Sequence, residues 1–192
     1  MDQPAALSGA DDAHARLLAR LERAGLQVDG LCTGLSGHVA GWRQTSALLE
    51  DLTVEEADAL GALMPRLRAR AGQVLIREGE VGDWMLLLMS GTVDVVKTAD
   101  NGTQSRLAVI REGTAVGEMS MLDAAPRYAT CIAIEDVQAG ILTRAVIARL
   151  IQDHPAISSK LLVKLTQLLA QRLRNTSNQL VKLLRQQGRT EA

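Results

Sequence analysis

Apolar residues recur with two different periods along this chain of 192 residues, and the points where one period gives way to the other divide it into segments. Over residues 11–25, Leu17, Leu18 and Leu21 share one face of a 3.6-residue repeat, with Asp11 and Asp12 at its head and Gly25 at its end, which predicts a helix. Residues 26–42 carry Gly30, Gly34, Gly37 and Gly41 and are expected to form an irregular arm. Helical spacing returns from Thr45 to Arg68, where Thr53 stands three residues before Glu56, the spacing of a capping box.

Beyond Arg70 the period falls to two. Segments 73–80, 83–91, 92–100 and 104–113 are short apolar or alternating runs bounded by Gly, Asp or Asn, and 127–136 and 137–143 repeat the pattern. Asn101-Gly102 between two of these runs predicts a hairpin. Roughly eight short strands at this spacing make a barrel or jelly roll. Residues 117–122, GEMSML, lack β-branched side chains and fit a short helix inside it.

From Arg144 the helical period resumes, and His154-Pro155 splits it, because the residue before proline avoids the α region and proline suits the first turn of a new helix. The second piece, 155–187 with Gly188 as its stop, carries a stripe of Leu162, Leu165, Leu169, Leu173, Thr176, Leu180 and Leu183. A helix of ~48 Å outruns any small barrel, so its far half needs a partner, most simply the same helix of a second subunit. The predicted fold is α+β: an antiparallel β jelly-roll barrel flanked by N-terminal helices and a long C-terminal dimerisation helix. Its parts are an N-terminal helical arm (1–44), the β-roll with flanking helices (45–153) and the long helix (154–192).

Composition narrows the function. Hydrophobic residues make up 47% of the chain, enough for a core, but there is no Phe, one Tyr and two Trp, so base stacking cannot be its main business. A net charge of −1 steers it toward neither nucleic acid nor anionic lipid. Cys32 and Cys131 stand alone, which excludes a cysteine-rich zinc site or a four-cysteine cluster. His14, His38 and His154 are scattered, no metal is expected, and no catalytic set of side chains can be assembled, so the chain is expected to be no enzyme and to need no cofactor. Without a signal peptide or a spanning run, a cytoplasmic protein is expected.

The candidate chemistry lies in GEMSMLDAAPRYAT, residues 117–130, where Glu118 precedes Arg127 by nine residues around a small, apolar segment. One reading is a surface ion pair, worth at most about 1 kcal/mol. The other is a ligand that needs both an acceptor and a cation.

This stretch resembles the phosphate-binding cassette of the cyclic-nucleotide-binding domain family, the regulatory module of the bacterial catabolite activator, of cyclic-nucleotide-dependent kinases and of gated channels. Residues 77–95, REGEVGDWMLLLMSGTVDV, resemble its glycine-punctuated framework, and 171–180, QRLRNTSNQL, resemble the activator's dimer helix. The resemblance implies a cyclic nucleotide as ligand, cAMP first, then cGMP, with cyclic di-GMP as a further possibility on the same fold. Arg127 then meets the cyclic phosphate, for which a planar guanidinium is suited, and Glu118 accepts from the ribose 2′-hydroxyl. Backbone contacts are implied at Gly117, Met119, Tyr128 and Ala129, with Ala108 on the facing strand. Thr176 and Ser177 are implied to read the base across a homodimer, whereas on physical grounds alone they fix the helix register or bond to the preceding turn.

Some positions depart from the family pattern: Tyr128 follows the arginine, Val116 precedes Gly-Glu, and Met85, Leu86 and Leu87 stand where aromatics are common. Seven Lys or Arg and no acid lie between Lys160 and Arg189, but cations suit a helix C-terminus, and with the chain ending at Ala192 DNA is not expected as a partner. The expected molecule is a ligand-controlled homodimer that presents a surface to another protein. The rival is an interaction scaffold without a small-molecule ligand.

Overall fold

A computed structural model of the chain describes residues 15–42 and 48–190. Helix α1 covers residues 15–23 and buries Leu17 and Leu21, and Gly25, at φ +80°, turns the chain away from it. The glycine-rich segment expected to be irregular holds a strand, β1 (Gln27–Leu31), and a helix, α2 (Leu35–Trp42). Tertiary pairing overrides the local signal there. β1 forms an antiparallel ladder with β2 (Pro65–Ala69), in which Val28 lies opposite Leu67, and Gly30, at φ +54°, sits in the bulge that interrupts it. The arm thus contributes an edge strand to the main sheet.

Helix α3 (Val54–Gly61) is headed by the expected capping box: the Thr53 hydroxyl accepts from Glu56 N at 3.2 Å, and Thr53 N donates to the Glu56 carboxylate at 2.8 Å. The helix expected over 45–68 is shorter at both ends. Residues 43–47 lie outside the described residues, and Leu48 and Leu49 pack from a turn. β2 takes over at Pro65, with Leu67 and Ala69 facing the core in strand alternation.

The remaining strands are β3 (Val74–Ile76), β4 (Trp84–Ser90), β5 (Val93–Thr98), β6 (Gln104–Ile110), β7 (Ala115–Val116), β8 (Thr130–Ala133) and β9 (Val137–Thr143). They form two antiparallel sheets, ordered β1-β2-β9-β4-β7 and β3-β8-β5-β6. The roll expected from the sequence is therefore present, with β5 and β6 joined by the Asn101-Gly102 turn. Leu67, Leu75, Trp84, Leu86, Leu88, Val93, Cys131 and Ile141 fill one core cluster. The other face of β4, with Met85, Leu87 and Met89, packs instead against helical residues Leu35, Leu60, Leu150 and Leu161. Burial on both faces explains why β4 is apolar along its length rather than alternating.

Helix α4 (Glu118–Asp123) interrupts the roll as expected. Helix α5 (Arg144–Asp153) ends at His154, and α6 (Pro155–Thr190) starts at the proline and continues through Gly188, past the expected stop. Ile157, Leu161 and Leu165 bury the first turns of α6, and two lysines fix it to the segment around α3: Lys160 to Glu56 at 2.6 Å, and the buried Lys164 to Glu50 and to Asp51, the latter at 3.0 Å. Beyond this α6 is exposed, Leu173 to 69%. Among the described residues no helix is long and apolar enough to cross a membrane, and no group of His, Cys, Asp or Glu is arranged to hold a metal ion.

Candidate functional site

Gly117 makes the site possible. Its φ of +85° is open to glycine at little cost, and a Cβ there would lie 2.7 Å from Ile76 Cδ1 and 2.8 Å from Arg127 Nη1. It ends β7 and starts α4, which delivers Glu118 into the interior at 1% exposure. After α4 the chain turns at Ala124 and returns through Pro126 to Arg127, whose N–H donates to Glu80 O at 2.8 Å and whose carbonyl accepts from Gly79 N at 2.9 Å. That pair of bonds fixes the arginine backbone to the turn between β3 and β4.

The Arg127 side chain, 3% exposed, points inward. Nη1 donates to Gly117 O at 2.6 Å, Nη2 to Trp84 O at 2.7 Å, and the guanidinium lies over the Trp84 ring, 4.5 Å from its centroid. Burial draws its pKa below the ordinary arginine range, and the charge of Arg20 adds to this against Cys131, Asp83 and Glu118. It remains a cation at neutral pH. Glu118 is paired through Oε1 with Arg172 of α6, whose second nitrogen donates to Ala115 O at 2.7 Å. A direct Glu118–Arg127 ion pair is therefore not what holds the segment.

Among the described residues three buried side-chain atoms have no hydrogen-bond partner: Glu118 Oε2, Arg127 Nε and Trp84 Nε1. All three belong to this site. A buried polar atom without a partner costs about 1–3 kcal/mol, so these three atoms make the segment the costliest polar cluster among the described residues.

The other candidate residues sit on α4, on the segment between Arg127 and β8, on β6 and on α6. Met119 and Tyr128 are exposed, and Ala129 is buried beside the arginine in sequence. Lys97 Nζ bonds to Tyr128 O at 2.8 Å and lies 4.6 Å over its ring, which ties the exposed Tyr128 to β5. Ala108 is exposed on β6 opposite Val95. Thr176 and Ser177 are exposed on α6, one turn beyond Arg172, and the Thr176 hydroxyl donates to Arg172 O at 3.0 Å. Within one chain the threonine thus makes the bond to the preceding turn that its position allowed on physical grounds.

Two side chains that anchor this segment escape the sequence reading. Arg172 lies four residues before Thr176, and the helical period that puts both on one face was the available signal. Arg144 opens α5 and donates twice to Met121 O, at 2.6 and 2.9 Å, binding the end of α4. No periodicity signals that contact. Burial pushes the Cys131 thiol, near Arg127, up to about 12 and the Cys32 thiol up to about 11, so neither is a nucleophile at neutral pH. An open groove of about 650 Å³ lies elsewhere, lined by Gln27, Arg68, Arg70, Gln73 and Gln138 among others, and includes none of the candidate residues.

Residues 66–154 match the family model of the cyclic nucleotide-binding domain. These residues are a domain of that family. The chain is 33% identical over 132 residues to the CRP-like cAMP-activated global transcriptional regulator of Mycobacterium tuberculosis, an alignment that covers 67% of this chain and 57% of that protein. It shares the fold of a cyclic nucleotide-binding domain from Methylobacillus flagellatus, with a TM-score of 0.72, 29% identity and coverage of 81% of this chain and 88% of the other. The Thermus thermophilus catabolite activator protein is similar at a TM-score of 0.64 and 32% identity, covering 72% and 63%. The chain spans 57% to 61% of the length of the curated bacterial regulators it matches. The cyclic nucleotide-binding domain includes Glu118, Arg127 and Arg144, whereas Arg172 reaches it from α6, outside the matched residues.

Arg172→Ala removes the cation that is hydrogen-bonded to the buried Glu118 carboxylate. Allowing for the partial exposure of Arg172, it should destabilise the protein by about 1 to 3 kcal/mol in urea unfolding. Adding Glu118→Gln should restore most of the loss. A double variant as unstable as the single one would show that the buried charge is not the cause.

Proposed function

We propose that the chain is a cyclic-nucleotide receptor, with cAMP the foremost ligand and cGMP next, acting as a regulatory protein rather than as an enzyme. The observation that carries this reading is the pair of open atoms at the centre of the domain: Arg127 Nε, a cationic donor, and Glu118 Oε2, an anionic acceptor. A 3′,5′-cyclic nucleotide complements both, with an anionic phosphate diester for the guanidinium and a free ribose 2′-hydroxyl to donate to the carboxylate. The name of the Mycobacterium tuberculosis relative, a cAMP-activated regulator, favours adenine.

Regulation follows from how the cassette is tethered. α4 is bound at its end by Arg144 of α5 and at Glu118 by Arg172 of α6, so a ligand that engages Glu118 competes with or reinforces a contact made by the long helix. A ligand shifts such an equilibrium only through different affinities for its two states, and Glu118 supplies that difference. The exposed Leu173, Leu180, Leu183 and Leu184 support a homodimer through α6, which would bring a second Thr176 and Ser177 near each site. Three of the seven basic residues on α6, Lys160, Lys164 and Arg172, are committed to carboxylates of the same chain, which supports a structural use of that charge.

Calorimetric titration tests the ligand. The protein should bind cAMP, lose about 2 to 5 kcal/mol of binding in Arg127→Ala, and bind 2′-deoxy-cAMP about 1 to 3 kcal/mol more weakly than cAMP because Glu118 then lacks its donor. Absence of binding to cAMP, cGMP and cyclic di-GMP alike would favour the scaffold reading. For the assembly, Leu173→Asp with Leu180→Asp changes two side chains that are exposed in the single chain, so the fold should survive while light scattering reports monomers. A double variant that stays dimeric would place the interface elsewhere.

A further inference from the structure

Arg127 is held from several sides, and one of them is chemically distinct. Its backbone is pinned by Gly79 and Glu80 and its Nη1 by Gly117 O, contacts that any main chain could provide. The fourth neighbour is Trp84, which supplies both the carbonyl for Nη2 and an aromatic ring lying 4.5 Å from the guanidinium. This tryptophan is 1% exposed, and its Nε1–H has no partner among the described residues. Burying an unmet N–H is unfavourable, and an aliphatic side chain would fill the end of β4 without that cost, as its neighbours Met85 and Leu86 do. What they lack is a flat, electron-rich face.

A guanidinium is planar, and its plane decides where each N–H points. Stacking on an indole fixes that plane, and the Trp84 carbonyl fixes the rotation within it. With one proton of Nη1 and one of Nη2 engaged, the donor left wholly open is Nε. We propose that Trp84 is a positioning residue for anion recognition, its ring and carbonyl together holding Arg127 in the plane that presents Nε–H to a phosphate oxygen. The inference rests on the cyclic-nucleotide reading of the site. Gly82 shapes the same seat: a Cβ there would lie 2.6 Å from Arg127 Nη2 and 3.0 Å from Trp84 Nε1, so only glycine leaves the guanidinium and the indole together undisturbed.

Because Trp84 acts on the phosphate contact, its effect should not depend on the base. Calorimetry with cAMP and cGMP on wild type, Trp84→Phe and Trp84→Leu, each with and without Arg127→Lys, tests this. Trp84→Leu should weaken both nucleotides by a similar factor, roughly ten-fold, and Trp84→Phe, which keeps an aromatic face, should stay within about three-fold of wild type. In the Arg127→Lys background Trp84→Leu should have little further effect, since an ammonium has no plane to fix. Additive losses, or Phe as damaging as Leu, overturn the inference, because both describe a ring that merely fills space.

Should Trp84→Leu fail to fold, the native ring carries the test. In a Trp42→Phe background Trp84 is the sole indole, and its emission should change on nucleotide addition with the Kd found by calorimetry. Unchanged emission overturns the inference. A wild type that binds neither nucleotide overturns the reading of the site and this inference with it, whereas a binding wild type with an indifferent Trp84→Leu overturns this inference alone.

Discussion

Two opposite charges are taken out of water within one short segment, and most of the architecture around them serves to make that tolerable. An ionised carboxylate or guanidinium loses several kcal/mol of hydration on burial unless the protein replaces the water with partners of its own. Glu118 receives Arg172 on one oxygen, and Arg127 receives the carbonyls of Gly117 and Trp84 and the face of an indole. The replacement stops halfway. One oxygen of the carboxylate and one nitrogen of the guanidinium have no partner among the described residues, and these atoms define what a ligand must bring.

The same constraint joins the site to the rest of the molecule. Arg172 cannot reach Glu118 unless α6 lies against the roll, and the helix is held there by the apolar contacts of Ile157, Leu161 and Leu165 and by Lys160 and Lys164 at the segment around α3. Arg144 links the end of α4 to the start of α5, and its own N–H donates to Asp83 O, beside Trp84. The two ends of α4 are thereby tied to both helices that follow the roll, Glu118 to α6 and Met121 to α5. Arg172 is the more exposed member of its pair with Glu118, so solvent competes for it.

Much of this was legible in the sequence where one physical signal dominated. Alternation and glycine or asparagine punctuation revealed β3 to β6, β8 and β9, the Thr53 capping box revealed α3, and His154-Pro155 revealed the break between α5 and α6. Glu118 and Arg127 were visible as a pattern with a chemical use. Where the signal was tertiary it failed. β1 is a strand because β2 pairs with it, not because residues 27–31 alternate, and β2 was absorbed into a helical span that Pro65 should have ended. Arg172 was hidden because it is one cation among several on a basic helix, 54 residues from its partner. Trp84 was hidden because a buried aromatic in an apolar strand resembles ordinary core until the guanidinium above it is seen.

The central claim is that Arg127 Nε is an open donor awaiting an anion. The most direct measurement is the arginine Nε–H resonance of Arg127 in 15N-labelled protein, assigned by its loss in Arg127→Lys and followed during titration with cAMP and, separately, with adenosine. The account predicts that this resonance shifts with cAMP, saturating as the site fills, and stays in place with adenosine, which has the ribose hydroxyl but no phosphate. A resonance that is indifferent to saturating cAMP, or that responds equally to adenosine, contradicts it.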